Sequence, residues 1–289
     1  MNKSDQSCRF LFEDHPIRGQ HVSLDESWLE IAQRGGLEGR GLQLLGEALV
    51  VVALLVDTLK IDGSVTLQIR GKGPLELLVV EANSNHEVRG IARQGGIIDE
   101  QMNLQQIFGS EHLVITIRTE AAEPHQGIAA LYGENLADAL EHYFATSEQL
   151  PTHFWLASDE KNASGMLIQK LPGKSKDDDA WNRVLHLAST VTPDELQKLS
   201  LAAILHRLFN EESLRLFDPH ALKFSCNCSR ERTAGMLLSL GKAEVDDILA
   251  QEEVISVNCE FCNADYRFDR IDVEQLFVEA MATSGVITH

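Results

Sequence analysis

Four of the five cysteines in this 289-residue chain fall into two tight pairs, Cys226-Asn-Cys228 and Cys259-Glu-Phe-Cys262. A pair this close can present two thiolates from one turn. The stretch between the pairs is long enough to fold back and bring both turns together. Four thiolates in two clusters match a tetrahedral zinc site. Two other readings stay open: iron–sulfur ligation, which also uses four cysteines but at other spacings, and burial as small apolar side chains. The C-x-C spacing is informative. Extended, it holds its Cα atoms about 6.6–7.2 Å apart, whereas a disulfide prefers about 4.4–6.8 Å. A metal suits this spacing better than a bridge does. Cys8 stands alone in a strand-like stretch and reads as a small apolar residue.

The rest of the composition sets the context for those thiols. MNKSDQSCRFLFEDH, at the start, lacks the apolar region of a signal peptide. The most apolar run, LVVVALLV at 49–56, is shorter than the roughly 20 residues that cross a bilayer. A cytoplasmic protein without a membrane partner is expected, in a compartment that keeps thiols reduced. There a permanent disulfide is disfavoured, and a metal site or redox switch is favoured. The formal charge of −19 repels phosphate backbones, so no nucleic-acid partner is expected.

The elements that must position the cysteines follow an α+β pattern. Residues 9–13 and 21–24 read as short strands, and Asp25 to Ala32 as a helix stopped by Gly35-Gly36. Residues 40–59 are apolar on most sides, as in a central helix. Strand patterns follow at 64–70, 75–82, 87–93, 113–118 and 126–132, then a helix at 134–148. Strands at 152–158 and 164–170 form a hairpin around DEKNA. A mixed sheet with a central helix accounts for an N-terminal α+β domain over 1–171. PGKSKDDD at 172–179 opens a helical linker, 172–220. Thr192-Pro-Asp-Glu195 has the chemistry of a helix start, and Ser200 caps a helix over 201–209. Helices this short are marginal in water and must dock on something. A small zinc-binding domain, 221–289, completes the chain, with helices at 229–241 and 244–252 and strands at 255–258 and 265–268.

The CNC and CEFC motifs after a helical linker resemble those of the heat-shock protein 33 family of redox-regulated chaperones. YFATSEQLPT at 143–152 resembles that family's pattern too, and the likeness runs the length of the chain. The resemblance implies an ATP-independent holdase that keeps oxidatively or thermally unfolding clients from aggregating, not an enzyme. It implies one zinc ion per reduced chain on Cys226, Cys228, Cys259 and Cys262. It implies that oxidation forms Cys226–Cys228 and Cys259–Cys262 disulfides, releases the metal and switches the chaperone on, with a homodimer as the active form and client binding and dimerisation in the N-terminal domain, 1–171. Two such local bridges close tiny loops and cross-link nothing distant, so they would not replace an ordering energy of about 10–16 kcal/mol. Oxidation should therefore melt this region. The linker's apolar residues, Trp181, Val184, Leu187, Leu196, Leu199, Ile204, Leu205 and Phe209, are the candidate client-binding surface, with the sheet that they cover as the alternative.

Two other functions compete. A zinc ribbon on a nucleic-acid or ribosome-associated protein needs a basic face, but residues 221–289 carry six Lys and Arg against twelve Asp and Glu. A thiol oxidoreductase working through Cys259 and Cys262 needs its C-x-x-C at a helix start after a strand, whereas NADYRFDR after Cys262 reads as a strand. Elsewhere the sequence is bland. RGGLEGRG at 34–41 lacks a phosphate-loop signature and reads as a helix break. His142 and His153 read as structural, and Asp177–Asp179 as a solvated helix start.

Overall fold

The computed structural model describes residues 5–284. The chain forms two compact units, Met1–Ser225 and Cys226–His289.

The first unit is built around one helix. Its elements are β1 (Gln6–Phe12), β2 (Ile17–Leu24), α1 (Glu26–Gly35), α2 (Gly39–Leu59), β3 (Gly63–Arg70), β4 (Leu75–Asn83), β5 (Glu87–Gln94), α3 (Leu104–Phe108), β6 (His112–Thr119) and β7 (Ala122–Ala130). Then come α4 (Leu136–Tyr143), β8 (Thr152–Ser158), β9 (Ala163–Lys170), α5 (Ala180–Ala188), α6 (Pro193–Lys198), α7 (Leu201–Phe209), β10 (Leu214–Leu216), β11 (His220–Ala221) and β12 (Lys223–Phe224). The strands divide between two sheets. One runs β10-β1-β2-β9-β8, with β11 also on β1, and is antiparallel throughout. The other runs β12-β5-β4-β3-β6-β7 and is made mixed by the parallel β12–β5 pair.

Helix α2 lies between the sheets and touches strands of both. Its apolar residues face all ways because it has a sheet on each side: Leu44, Leu45, Ala48 to Leu55 and Val56 are buried. Among the described residues it is the one helix long and apolar enough to cross a membrane, yet 78% of that apolar stretch is buried inside the protein. The length of the apolar run was therefore the wrong discriminator; burial between two sheets identifies a core helix. Gly46 marks the close approach to the first sheet. A Cβ there would sit 2.0 Å from Ser158 Oγ.

The linker helices α5, α6 and α7 cover the face of the first sheet that α2 does not. Val184, Leu196, Ile204, Leu205 and Phe209 are buried in one cluster with Phe10, Phe12, Ile17, Met166 and Ile168 of the sheet, and Trp181, Leu187 and Leu199 pack at its margin. Phe209 meets Phe12 edge-on at 5.1 Å. The docking that these short helices require is thus supplied by the sheet. Their starts follow the sequence. Thr192 Oγ1 accepts from the Glu195 amide, whose side chain accepts in return from the Thr192 amide, and Ser200 Oγ accepts from the Ala203 amide.

In the first unit three features depart from the sequence reading; in the second, the helix over Arg270–Ser284 was not expected either. The helix expected over 134–148 is regular only to Tyr143. It then widens into a π-helical turn, Phe144–Glu148, and stops at Gln149 with φ 55°. Tyr143 Oη donates to Glu148 Oε1 at 2.8 Å and bridges that turn. Helix α3, closed by a reciprocal Asn103–Gln106 cap, was not expected. Nor was the strap of β10, β11 and β12, which leaves the linker, pairs first with β1 and then with β5, and ends two residues before Cys226.

The second unit holds α8 (Arg230–Leu240), α9 (Lys242–Gln251), an antiparallel hairpin of β13 (Val254–Asn258) and β14 (Asp265–Asp269), and α10 (Arg270–Ser284). Its core is small: Leu237, Val245, Leu249, Ile255, Phe268, Val273 and Phe277. Arg230 ties three elements together. Its guanidinium lies 4.3 Å over the Phe268 ring, donates to the Arg267 carbonyl and pairs with Asp272 at 2.8 Å.

Candidate metal centre

The two cysteine motifs occupy different local structures. Cys226 and Cys228 lie on the segment entering α8. That helix is capped by Ser229, whose Oγ accepts from the Arg232 amide, so the helix start fixes where the C-x-C segment ends. Cys259 and Cys262 lie in the turn of the β13–β14 hairpin. There the Asn263 amide donates to the Cys259 carbonyl, the Cys259 amide donates to the Ala264 carbonyl, and Asn263 takes φ 58° to close the loop. Asparagine tolerates that left-handed conformation better than most residues.

The hairpin turn and the C-x-C segment place all four sulfurs within 4.8 Å of one another. Two close separations run between the motifs: Cys226 Sγ to Cys259 Sγ is 3.6 Å, and Cys228 Sγ to Cys262 Sγ is 3.2 Å. A tetrahedral ion with Zn–S bonds of about 2.3 Å sets its sulfurs about 3.8 Å apart, which lies inside this spread. The four cysteines are unbridged and half-buried, so they are within reach of small oxidants. They form a site that could hold a metal ion, the only such cluster of His, Cys, Asp or Glu among the described residues. An all-sulfur tetrahedral donor set suits zinc or iron.

The sulfurs are electrostatically unlike as thiols. Desolvation pushes Cys262 up to about 12, with the neighbouring sulfurs adding to it, and desolvation also raises Cys226. At Cys228 desolvation pushes the same way, but hydrogen bonds from Tyr266 and the other sulfurs outweigh it and bring that thiol down to about 7. Tyr266 Oη donates to Cys228 Sγ at 3.1 Å, and that bond holds the phenol up at about 12. Cys228 is thus held closer to ionisation than Cys226 or Cys262. A bound cation would favour the thiolate form of all four and release their protons.

The other sequence candidates lie elsewhere. Cys8 is buried in β1, donates to the Phe217 carbonyl at 3.1 Å, and is pushed up to about 11 by burial and then by Asp218. A thiol so raised is a poor nucleophile. His142 stacks on Tyr132 at 4.8 Å, and His153 pairs with Glu141 at 2.8 Å. The glycine-rich stretch is the break between α1 and α2, with Gly36 left-handed. Asp177 pairs with Arg183 at the start of α5. Of the linker's eight apolar residues, Val184, Leu196, Ile204, Leu205 and Phe209 are buried against the first sheet, and Trp181, Leu187 and Leu199 are half-buried at its margin. Tyr266 and Arg230 were not singled out from sequence. The signal for Tyr266 was the alternation of DYRF, which puts Tyr266 and Phe268 on one face of the hairpin.

Comparison with known proteins agrees with this architecture. The family model described as Hsp33 protein matches residues 5–269. The chain is 45% identical to a 33 kDa chaperonin of Methylobacillus flagellatus, across 99% of this chain and 98% of that one. It is 44% identical to a 33 kDa chaperonin of Nitrosococcus oceani, across 96% of each, and 45% identical to one of Pseudomonas paraeruginosa, across 97% of each. The crystal structure of a 33 kDa chaperonin from Thermotoga maritima superposes with a TM-score of 0.81 over 96% of this chain and 99% of that one. At 24% identity it speaks for the fold alone.

Proposed function

We propose, from the premise that the chain belongs to the Hsp33 family, that it is a redox-regulated holdase of the cytoplasm, working without ATP and without turnover. The observation that carries the reading is the gathering of four sulfurs from two motifs within 4.8 Å, in a unit whose core among the described residues is seven buried apolar side chains. A unit of that size is marginal on burial alone. Cys226, Cys228, Cys259 and Cys262 would hold one Zn²⁺, which when bound cross-links the C-x-C segment to the hairpin turn and keeps the four sulfurs as thiolates. The thiolate is the form that peroxides and hypochlorite attack. Pairing Cys226 with Cys228 and Cys259 with Cys262 removes every donor and leaves the two motifs unconnected.

The route from that event to a client-binding surface follows the chain. Cys226 is two residues beyond β12, and the strap from β12 back to α7 is held to the sheets by pairings of three, two and two residues. Loss of order beyond Cys226 frees the strap from one end, and the strap anchors the end of α7. Undocking of α5 to α7 uncovers Val184, Leu196, Ile204, Leu205 and Phe209 together with the sheet residues beneath them. Unfolding clients and a second copy of the chain are the partners that such a surface attracts. The acidic balance of residues 221–289 disfavours a nucleic-acid role. The placement of Cys259 and Cys262 in a hairpin turn, not at a helix start, disfavours an oxidoreductase.

The test measures bound zinc and light scattering from a heat-unfolded client, with reduced and peroxide-treated protein side by side. Reduced protein should carry one zinc per chain and fail to suppress scattering; treated protein should lose the metal and suppress it. Equal suppression by both forms would refute the proposal.

A further inference from the structure

The hairpin strand β14 reaches back to the other cysteine motif through one side chain. The ring of Tyr266 packs against the core of the second unit, beside Phe268, and opposite Val257 on β13. Its hydroxyl donates to Cys228 Sγ at 3.1 Å, a bond between residues 38 apart in sequence. The ring is therefore a fixed post, and the hydroxyl at its tip meets the sulfur that also lies 3.2 Å from Cys262 Sγ.

We propose that Tyr266 is a positioning residue of the sulfur cluster: its hydroxyl fixes Cys228 Sγ against Cys262 and lowers the reactivity of that sulfur toward peroxides. The inference rests on the metal-centre reading above. In the loaded cluster every cysteine is a thiolate, so a hydrogen bond changes no protonation state there. It withdraws charge from the sulfur and so weakens both its attack on oxygen and its mobility. The step concerned is attack of a cysteine thiolate on a peroxide. An S–O bond forms as the O–O bond breaks; the sulfur gives two electrons, and the departing hydroxide takes a proton to become water. A second cysteine thiolate then displaces hydroxide from the sulfenic acid to form the S–S bond. Tyr266 makes Cys228 the slow member in the first of these steps.

The experiment uses the reduced, zinc-loaded full chain, its Tyr266→Phe variant, and Val257→Ala as a control that loosens the ring's packing without touching the hydroxyl. After a brief pulse of substoichiometric hydrogen peroxide, differential alkylation and mass spectrometry give the oxidised fraction of each cysteine. A chromogenic chelator gives zinc retention. Tyr266→Phe should raise oxidation of Cys228 relative to Cys259 and weaken zinc retention about tenfold, whereas Val257→Ala should raise oxidation of all four cysteines together. An unchanged Cys228 to Cys259 ratio in Tyr266→Phe, or a rise shared by all four, overturns the proposal. A wild-type measurement guards against a variant that fails to fold. Loaded with ¹¹³Cd, the chain should show a Tyr266 hydroxyl proton protected from exchange, and a rapidly exchanging one overturns the proposal equally. If wild-type protein takes up no zinc, it is the metal-centre reading that fails. If it takes up zinc and Tyr266→Phe behaves as wild type, this inference alone fails.

Discussion

Replacing one ligand, Cys262→Ser, separates the proposed switch from any account in which the second unit is stable by itself. Serine keeps the size and removes the soft donor, so the site drops to three sulfurs. Metal binding supplies about 10–16 kcal/mol to small zinc folds, and the seven-residue core beneath this site is not a substitute. The expected loss can be read from helix lengths. Helices α8, α9 and α10 contribute 11, 10 and 15 residues, about a third of the α-helical residues in the described chain. If only the second unit melts, the far-ultraviolet circular dichroism at 222 nm should fall by about that share. If melting runs back through the strap, the 9, 6 and 9 residues of α5, α6 and α7 go as well, and more than half of the helical signal is lost. The variant should then suppress client aggregation under reducing conditions. A thermal transition should survive in both cases, because α2 and its sheets do not depend on the sulfurs. A spectrum indistinguishable from that of the zinc-loaded wild type would refute the reasoning, since the metal would then be ornamental to folding.

Three more outcomes are expected. Phe209→Ala deletes a buried ring that meets Phe12 edge-on. It should cost about 3–5 kcal/mol, drawn from the docking of α7, and give aggregation suppression in reduced, zinc-loaded protein; silence in that assay counts against the linker's role. Glu47, on α2, is raised above its usual 4.5 by burial, with Arg40 at 3.2 Å pulling it partly back. Its folded state thus favours the protonated form, so ionisation costs stability above the raised value. Glu47→Gln should be more stable to urea at pH 7, and the advantage should shrink as pH falls and vanish below 4.5. Gly46→Ala puts a Cβ 2.0 Å from Ser158 Oγ and 2.8 Å from Ser158 Cβ. This overpacking should cost about 1–3 kcal/mol, seen by calorimetry as a lower transition for the first unit and unchanged zinc retention.

The parts of this molecule that were legible from sequence are those written in local chemistry. The paired cysteines pointed to a four-sulfur site because two close thiols in each motif can face one ion. The Thr192–Glu195 cap and the Ser200 cap sit where their side chains said they would. Residues 40–59 declared a core helix by being apolar all round, although only the two flanking sheets distinguish it from a membrane span. What stayed hidden depends on partners distant in sequence. The strap strands are two or three residues long, too short to show a period of two. They exist because β1 and β5 offer edges. The π-helical turn after Tyr143 reflects a hydroxyl reaching Glu148, which no propensity records. Tyr266 became visible only when the hairpin register placed it beside a sulfur from the other motif.

The sheet under the linker has two coverings with different fates. One is α2, which is continuous with the main core; the other is a set of three short helices pinned by a strap. Stripping away the second leaves the first in place, so the wall would stay upright while one side of it turns adhesive. A protein arranged this way can offer grease without itself dissolving, and re-covering the wall needs no refolding of the domain that carries it.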